Sequence, residues 1–135
     1  MGRATGGGGA AARRWLLADF TLAELRTLDA GSWFNAKFAG ARIPTFQEAI
    51  DAVGTKAGLY PELKDPAFYR ARGVYPEKLL AEILEKNKLA GKGSRVIIQS
   101  FDAATVQALA VALPAVARVW LVEPRDAAAL DSADK

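Results

Sequence analysis

A carboxylate and an ammonium group two residues apart, Glu62 and Lys64, are the side chains whose types and spacing best suit chemistry. They lie in the stretch 59–66, which predicts a short strand over residues 59–64 that runs into a loop. Side chains alternate between the faces of a strand, so Tyr60, Glu62 and Lys64 point the same way. In α/β folds, ligands bind at the carboxyl ends of the strands. We therefore predict that Glu62 and Lys64 face a ligand, with a solvated surface ion pair as the alternative.

The amino-acid composition restricts the chemistry that these side chains can perform. The chain has no cysteine, which excludes disulfides and thiolate metal sites. It also has no histidine, which removes histidine acid–base catalysis and most zinc sites. Any reaction carried by these 135 residues must use carboxylates, lysine, tyrosine or a metal ion held by oxygen atoms.

Charge and hydropathy limit the partners of the chain. The net charge of +3 is mildly basic and no Lys/Arg block carries interleaved aromatics, so we expect no nucleic-acid partner. No apolar run approaches the roughly 18 residues of a membrane span. Arg13 and Arg14 faintly resemble a twin-arginine signal, but the hydrophobic region of such a signal does not follow. We expect a non-secretory chain or one whose true N-terminus is missing, and the cellular location stays open.

Four helices are predicted from caps and apolar periodicity. Thr21 and Glu24 have capping-box spacing, and Thr45 and Glu48 repeat it. Pro76 suits the first position of a third helix, whose predicted buried face is Leu79, Leu80, Ile83 and Leu84. Asp102 can cap the fourth helix, which Pro114 closes. The predicted spans are 21–31, 45–54, 76–91 and 103–113.

Three strands alternate with these helices, at residues 59–64, 96–101 and 119–122. The continuous apolar start of the second strand, residues 96–98, is typical of a strand that is buried on both faces. Alternation of strands and helices predicts an α/β fold with a parallel sheet. We predict a Gly/Ala-rich disordered segment over residues 1–14, one domain over residues 15–122 and a frayed tail over residues 123–135.

Five motifs in order resemble the glycerophosphodiester phosphodiesterase family. No one of them is decisive, but their order and spacing also match, and together they cover most of the chain from Asp19 to Val122. The motifs are residues 19–25 (DFTLAEL), 28–34 (LDAGSWF), 38–49 (FAGARIPTFQEA), 59–66 (LYPELKDP) and 96–102 (VIIQSFD).

The resemblance implies an incomplete TIM barrel that hydrolyses glycerophosphodiesters to glycerol 3-phosphate and an alcohol. It implies a divalent cation, Ca²⁺ or Mg²⁺, as cofactor. On the family pattern Glu62 is a metal ligand and Lys64, the catalytic residue, lies near the phosphate of the small-molecule substrate. Gln99, at the end of the next strand, has at most a supporting role near the pocket.

Departures from the family pattern are as informative as the matches. The family's His-Arg-Gly motif, its Glu-x-Asp pair of metal carboxylates and its two catalytic histidines are absent from this sequence. Glu62 alone cannot supply the six to eight oxygen atoms of a Ca²⁺ site. We therefore expect a fragmentary family member, corresponding to about three strands of the barrel, that is inactive alone.

Other readings of the same residues remain open. A non-catalytic α/β module could bind or self-assemble through its open strand edges, and a degenerate product without function is a third possibility. Trp33 and Phe34, in a predicted loop, either pack on the outside of the barrel or line an entrance to the site. Asp29 and Asp65 are predicted to serve as turn and cap residues. Tyr60 either hydrogen-bonds near the site or packs in the core.

Overall fold

The computed structural model describes residues 16–123 of the chain. The predicted disordered segment 1–14 and residues 124–135 of the predicted tail lie outside this range. The chain divides into two compact units, residues 1–45 and 46–135, which are described separately. No helix within residues 16–123 is long and apolar enough to cross a membrane.

The first unit consists of short helical turns around a loop. Two single-turn 3₁₀ helices, Leu17–Asp19 and Ala36–Phe38, flank the helix α1 at Leu22–Leu25. The predicted capping box is confirmed: Glu24 N donates to Thr21 Oγ1 at 3.2 Å, and Thr21 N donates to Glu24 Oε2 at 2.7 Å. The helix is much shorter than the predicted span 21–31, because i→i−3 bonds tighten the chain directly after it.

Asp29 organises the loop that follows α1, which confirms its predicted role in a turn. Its carboxylate accepts hydrogen bonds from the backbone N–H groups of Gly31, Ser32 and Gly40 at 2.6–2.8 Å. These bonds, with one from the Ser32 hydroxyl, hold the pKa of Asp29 well below its ordinary value. Trp33 and Phe34 meet edge to face, yet they are 81% and 70% exposed. Within residues 16–45 this exposure does not support the alternative that the two rings pack on the outside of a barrel, and the alternative that they line an entrance stays a prediction.

Over its described residues, 46–123, the second unit contains four helices and two strands. The helices are α2 Phe46–Val53, α3 Pro66–Arg70, α4 Pro76–Lys86 and α5 Ala103–Ala112, and the strands are β1 Ile97–Ser100 and β2 Ala117–Trp120. The predicted helices 45–54 and 103–113 are confirmed within one residue at each end. Helix α4 begins at Pro76 as predicted but ends before Asn87, because Lys88 adopts a positive φ of 58° that no helix continues. Helix α3 was not predicted.

The strands β1 and β2 are parallel, with Ile97 opposite Ala117 and Ser100 opposite Trp120, which confirms an α/β fold with parallel strands. Strand β2 begins two residues before the predicted span 119–122. The charged residue Arg118 interrupts the apolar run, so the sequence did not indicate the true start of the strand. In the structure its guanidinium donates to the carbonyls of Leu113 and Val116.

The predicted strand 59–64 is an extended segment beside β1 rather than a regular strand. Two isolated parallel bridges, Leu59 with Val96 and Glu62 with Gln99, align it with β1. Gln99 N donates to the Pro61 carbonyl at 3.0 Å, but Pro61 has no N–H with which to complete the ladder. The missing donor divides the pairing into two bridges. The predicted segment therefore lies beside β1 as expected, but it does not form a regular strand.

The hydrophobic core lies between one face of the sheet and the helices α4 and α5. Its fully buried side chains include Leu84, Val96, Ile98, Leu109 and Leu113. Two burial predictions fail. Ile97 is 44% exposed, so β1 is not buried on both faces, because its residues alternate between the core and the uncovered face. Leu79 is 56% exposed, whereas Leu80 one position on is buried.

Candidate active site

The site is built where the extended segment and β1 end side by side. Because Glu62 and Gln99 are bridge partners, their side chains emerge next to each other at this edge of the sheet. The Lys64 ammonium Nζ lies 3.7 Å from Glu62 Oε2. The structure therefore brings the two predicted site residues together and places Gln99 beside them.

An open cleft of about 420 Å³ lies at this end of the sheet. Two stretches of the chain line it. The first runs from the end of the extended segment into the start of α3, and the second joins β1 to α5. The residues are Glu62, Leu63, Lys64, Asp65, Pro66, Ala67, Ser100, Phe101 and Asp102. A cleft at the carboxyl ends of parallel strands is where α/β folds bind their ligands.

The two charged side chains differ in their exposure. The Glu62 side chain is 24% exposed, whereas that of Lys64 is 75% exposed. A partly buried carboxylate can offer oxygen atoms to a hard cation, and a mobile ammonium can approach an anion from solvent. The pair can thus offer carboxylate oxygens to a cation and a positive charge to an anion at neighbouring positions.

Other residues singled out in the sequence are placed around the cleft or away from the core. Asp65 occupies the position before α3 in a left-handed conformation with φ 47°, but its side chain makes no capping hydrogen bond. Asp65 therefore lies at a cap position, as predicted, but its side chain does not act as a cap. Tyr60 is 55% exposed, which contradicts the alternative that it packs in the core, and a hydrogen bond near the site stays a prediction.

Asp102 is the cleft residue with the most partners. Its side chain caps α5 by accepting from Thr105 N at 2.8 Å, as predicted, and it also binds Arg70 Nη2 at 2.7 Å. Partial burial raises the pKa of its carboxyl group, but the bond from Thr105 and the Arg70 guanidinium together hold the pKa below its ordinary value.

Ser100 and Arg70 were missed by the sequence analysis. The fully buried Ser100 hydroxyl donates to the Leu63 carbonyl at 2.9 Å. Arg70 lies in a stretch interpreted as a polar loop, and its partner Asp102 is 32 residues away. The sequence signal nearest to these two residues was Asp102, a predicted helix cap that directly follows a strand and is bonded to both of them.

A complete cation site is not formed by residues 16–123. No three acidic side chains come together in this range as a metal-binding group. Of the other two carboxylates that line the cleft, that of Asp102 is already occupied by Arg70 and Thr105. A hard cation takes six or more oxygen ligands, so Glu62 could supply only part of its coordination. The described residues alone therefore do not fit a bound cation.

Comparison with known proteins identifies the family. A family model described as the glycerophosphoryl diester phosphodiesterase family matches residues 1–135. A glycerophosphodiester phosphodiesterase of Bacillus subtilis (strain 168) is 37% identical over 126 residues, which are 85% of this chain and 42% of the relative. A glycerophosphodiester phosphodiesterase of Caldanaerobacter subterraneus subsp. tengcongensis is 43% identical over 88 residues, which are 62% of this chain and 32% of the relative. The chain spans less than half the length of these relatives, and it belongs to the glycerophosphoryl diester phosphodiesterase family.

Proposed function

We propose that this protein is a phosphoric diester hydrolase that cleaves glycerophosphodiesters to glycerol 3-phosphate and an alcohol. The observation that carries the proposal is the pairing of Glu62 with Lys64, 3.7 Å apart, over a cleft at the carboxyl end of parallel strands. Two relatives named glycerophosphodiester phosphodiesterase support the reaction type.

Lys64 is the proposed phosphate contact and catalytic residue. A phosphodiester is an anion whose negative charge moves and grows on the phosphoryl oxygens during hydrolysis, and a positioned ammonium stabilises that charge. The 75% exposure of Lys64 leaves the ammonium free to leave Glu62 and follow the substrate. Replacing the ammonium should therefore reduce turnover more than it reduces stability.

Glu62 is the proposed metal ligand. The family in general uses a divalent cation, and Ca²⁺ and Mg²⁺ are the candidates because both prefer carboxylate oxygens. Since residues 16–123 do not complete a cation site, we propose Glu62 as one ligand of a set whose other members lie outside the described residues.

The proposed architecture of the whole fold is a TIM barrel of the phosphodiesterase type, of which this chain supplies an incomplete part. Support comes from the parallel pairing of the extended segment, β1 and β2, with α5 as the connection between the two strands. In such a barrel the loops after the strands form the active site. The cleft of Glu62 and Lys64 has that position.

The experiment needs the parts of the barrel that the relatives carry beyond the matched region. A chimera in which residues 15–122 replace the matching segment of the Bacillus subtilis relative supplies them. We expect the folded chimera to release glycerol 3-phosphate from glycerophosphocholine with Ca²⁺ or Mg²⁺. Glu62→Gln should abolish the cation-dependent rate, and Glu82→Gln, an exposed position on α4, should leave it unchanged. A Glu62→Gln chimera with full activity would remove Glu62 from the metal site.

A second candidate function is a non-catalytic module that assembles with itself. Within the described residues β2 pairs only with β1, and Val119 and Trp120 beside the open edge are 36% and 47% exposed. Unpaired edges with apolar side chains favour strand addition from another copy. Mass measurement in solution tests this candidate, because a folded monomer at high concentration would exclude it.

A further inference from the structure

The segment that carries Glu62 and Lys64 is anchored at one end by β1. Leu63 N donates to the Gln99 carbonyl at 2.9 Å, and the Leu63 carbonyl accepts from Ser100 Oγ at 2.9 Å. Both backbone groups of the residue between Glu62 and Lys64 are therefore bonded to the end of this strand. Ser100 has no exposed surface, so these bonds are shielded from competing water on one side.

The other end of the segment is anchored through α3. This helix begins at Pro66, so only Lys64 and Asp65 lie between it and the bonded Leu63. Arg70, in the last turn of α3, donates to Thr105 Oγ1 from one guanidinium nitrogen and to Asp102 Oδ2 from the other, both at 2.7 Å. The side chains of Arg70 and Asp102 are only 25% and 21% exposed. Charge-assisted bonds of this length in a partly buried setting are among the stronger hydrogen bonds of a protein.

Ser100 and Asp102 join the two anchors into one closed circuit. The Ser100 hydroxyl accepts from Asp102 N at 3.2 Å while it donates to the Leu63 carbonyl. The contacts thus run from Leu63 through Ser100 and Asp102 to Arg70, and the chain returns from Arg70 through α3 to Lys64. Because the bend of two residues is held at both ends, its backbone has little freedom, although the exposed side chain of Lys64 can still reorient.

We propose that Ser100, Asp102 and Arg70 are positioning residues that form a brace, fixing the bend from Glu62 to Asp65 and with it the placement of Glu62 and Lys64 at the cleft. The catalytic meaning of the brace rests on the proposed function, whereas its effect on the bend does not. The brace also gives a partner to Glu77 on α4, whose side chain is buried. Its Oε2 atom makes no hydrogen bond but lies 3.8 Å from Arg70 Nη1. Glu77 Oε2 thus faces the Arg70 guanidinium from α4.

Amide hydrogen exchange in the 135-residue chain tests the brace directly. Leu63 N–H lies at the braced end of the extended segment, and Leu59 N–H, bonded to the Arg95 carbonyl at 2.9 Å, lies at its far end. Arg70→Met should accelerate exchange at Leu63 by about tenfold and leave Leu59 close to its original rate, since local opening then precedes global unfolding. Arg70→Lys keeps the charge and one donor to Asp102, so its exchange rate at Leu63 should lie between those of the wild type and Arg70→Met. Arg118→Met, which removes an arginine bonded to the Leu113 and Val116 carbonyls, should change neither amide selectively.

The outcomes separate the brace from the proposed function. Equal acceleration at Leu63 and Leu59 in Arg70→Met, or no acceleration at Leu63, would overturn the brace. In the chimera, Arg70→Met should lower kcat by about tenfold while Arg118→Met does not, because a misplaced catalytic group costs turnover. Selective Leu63 exchange with unchanged kcat would overturn the positioning role. A folded chimera without any hydrolysis would overturn the proposed function, and the exchange rates would still decide the brace.

Discussion

Glu62 lies directly opposite Gln99 in an isolated parallel bridge, the second of the two bridges between the extended segment and β1. Leu63, one residue later, is still bonded to Gln99 and Ser100, and the cleft opens next to these bonds. The position of the bridge explains why Glu62 is only 24% exposed while Lys64, two residues later, is 75% exposed. The same local geometry therefore gives the carboxylate a fixed place and the ammonium freedom of movement.

Removing the Ser100 hydroxyl should destabilise the second unit. Ser100→Ala leaves the Leu63 carbonyl and Asp102 N–H without their partner in a partly buried place, which costs about 1–3 kcal/mol of the free energy of unfolding. Urea unfolding followed by circular dichroism measures the change. Val111→Ala, at a position that is 84% exposed, should shift the free energy by less than about 0.5 kcal/mol. Equal effects of the two variants would show that the hydroxyl does not hold the segment.

Two leucines of α4 test which face of the helix is buried. Leu84→Ala removes a side chain with no exposed surface and should cost about 2–5 kcal/mol of the free energy of unfolding. Leu79→Ala, at a position that is 56% exposed, should cost much less. Thermal unfolding of both variants gives the comparison. A loss at Leu79 as large as that at Leu84 would instead support the pattern predicted from the sequence, in which both leucines are buried.

The loop of the first unit should depend on a glycine at position 31. A Cβ at Gly31 would lie 2.1 Å from the Phe38 carbonyl oxygen, so Gly31→Ala must move the backbone. Trp33 Nε1, which donates to the Ala30 carbonyl at 2.8 Å, should then lose its bond and shift its indole NMR signal. Gly91→Ala is the control, because a Cβ there meets no atom within 4 Å. An unshifted Trp33 signal in Gly31→Ala would contradict this geometry.

Asp102 should make stability depend on pH in the acid range. Its pKa is lower in the folded chain than its ordinary value of 3.8, so its contribution is fully present above that value and is lost as the pH falls through the folded pKa. Asp102→Asn keeps a capping oxygen for Thr105 N but removes the charge that faces Arg70.

The difference in unfolding free energy between the wild type and Asp102→Asn should therefore be constant from about pH 5 to 7 and shrink below about pH 4. Urea unfolding at several pH values measures it. A difference that stays the same down to pH 2.5 would mean that the charge of Asp102 contributes nothing.

Local signals in the sequence predicted the parts of the fold that depend on neighbouring residues. The caps at Thr21 and Asp102 and the helix start at Pro76 follow from hydrogen bonds and backbone angles within one turn. The closeness of Glu62 and Lys64 follows from the two-residue alternation of an extended chain. These features required no knowledge of the tertiary structure.

Features that depend on distant residues were not predictable in the same way. The partner of Arg70 is 32 residues away, and helix α3, with five residues, is too short to show an apolar periodicity. The exposure of Ile97 depends on which face of the sheet the helices cover, which an apolar run does not specify. The break at Pro61 was predictable in principle, since proline has no N–H to donate to β1.

Cation-dependent hydrolysis by the folded chimera is the measurement that tests the central claim most directly. Release of glycerol 3-phosphate from glycerophosphocholine would be followed with Ca²⁺ or Mg²⁺, and again after removal of the cation with EDTA. We predict a rate that disappears with EDTA and returns when the cation is restored, and that Glu62→Gln abolishes. A folded chimera that hydrolyses nothing, or whose cation-dependent rate survives Glu62→Gln, would contradict the account.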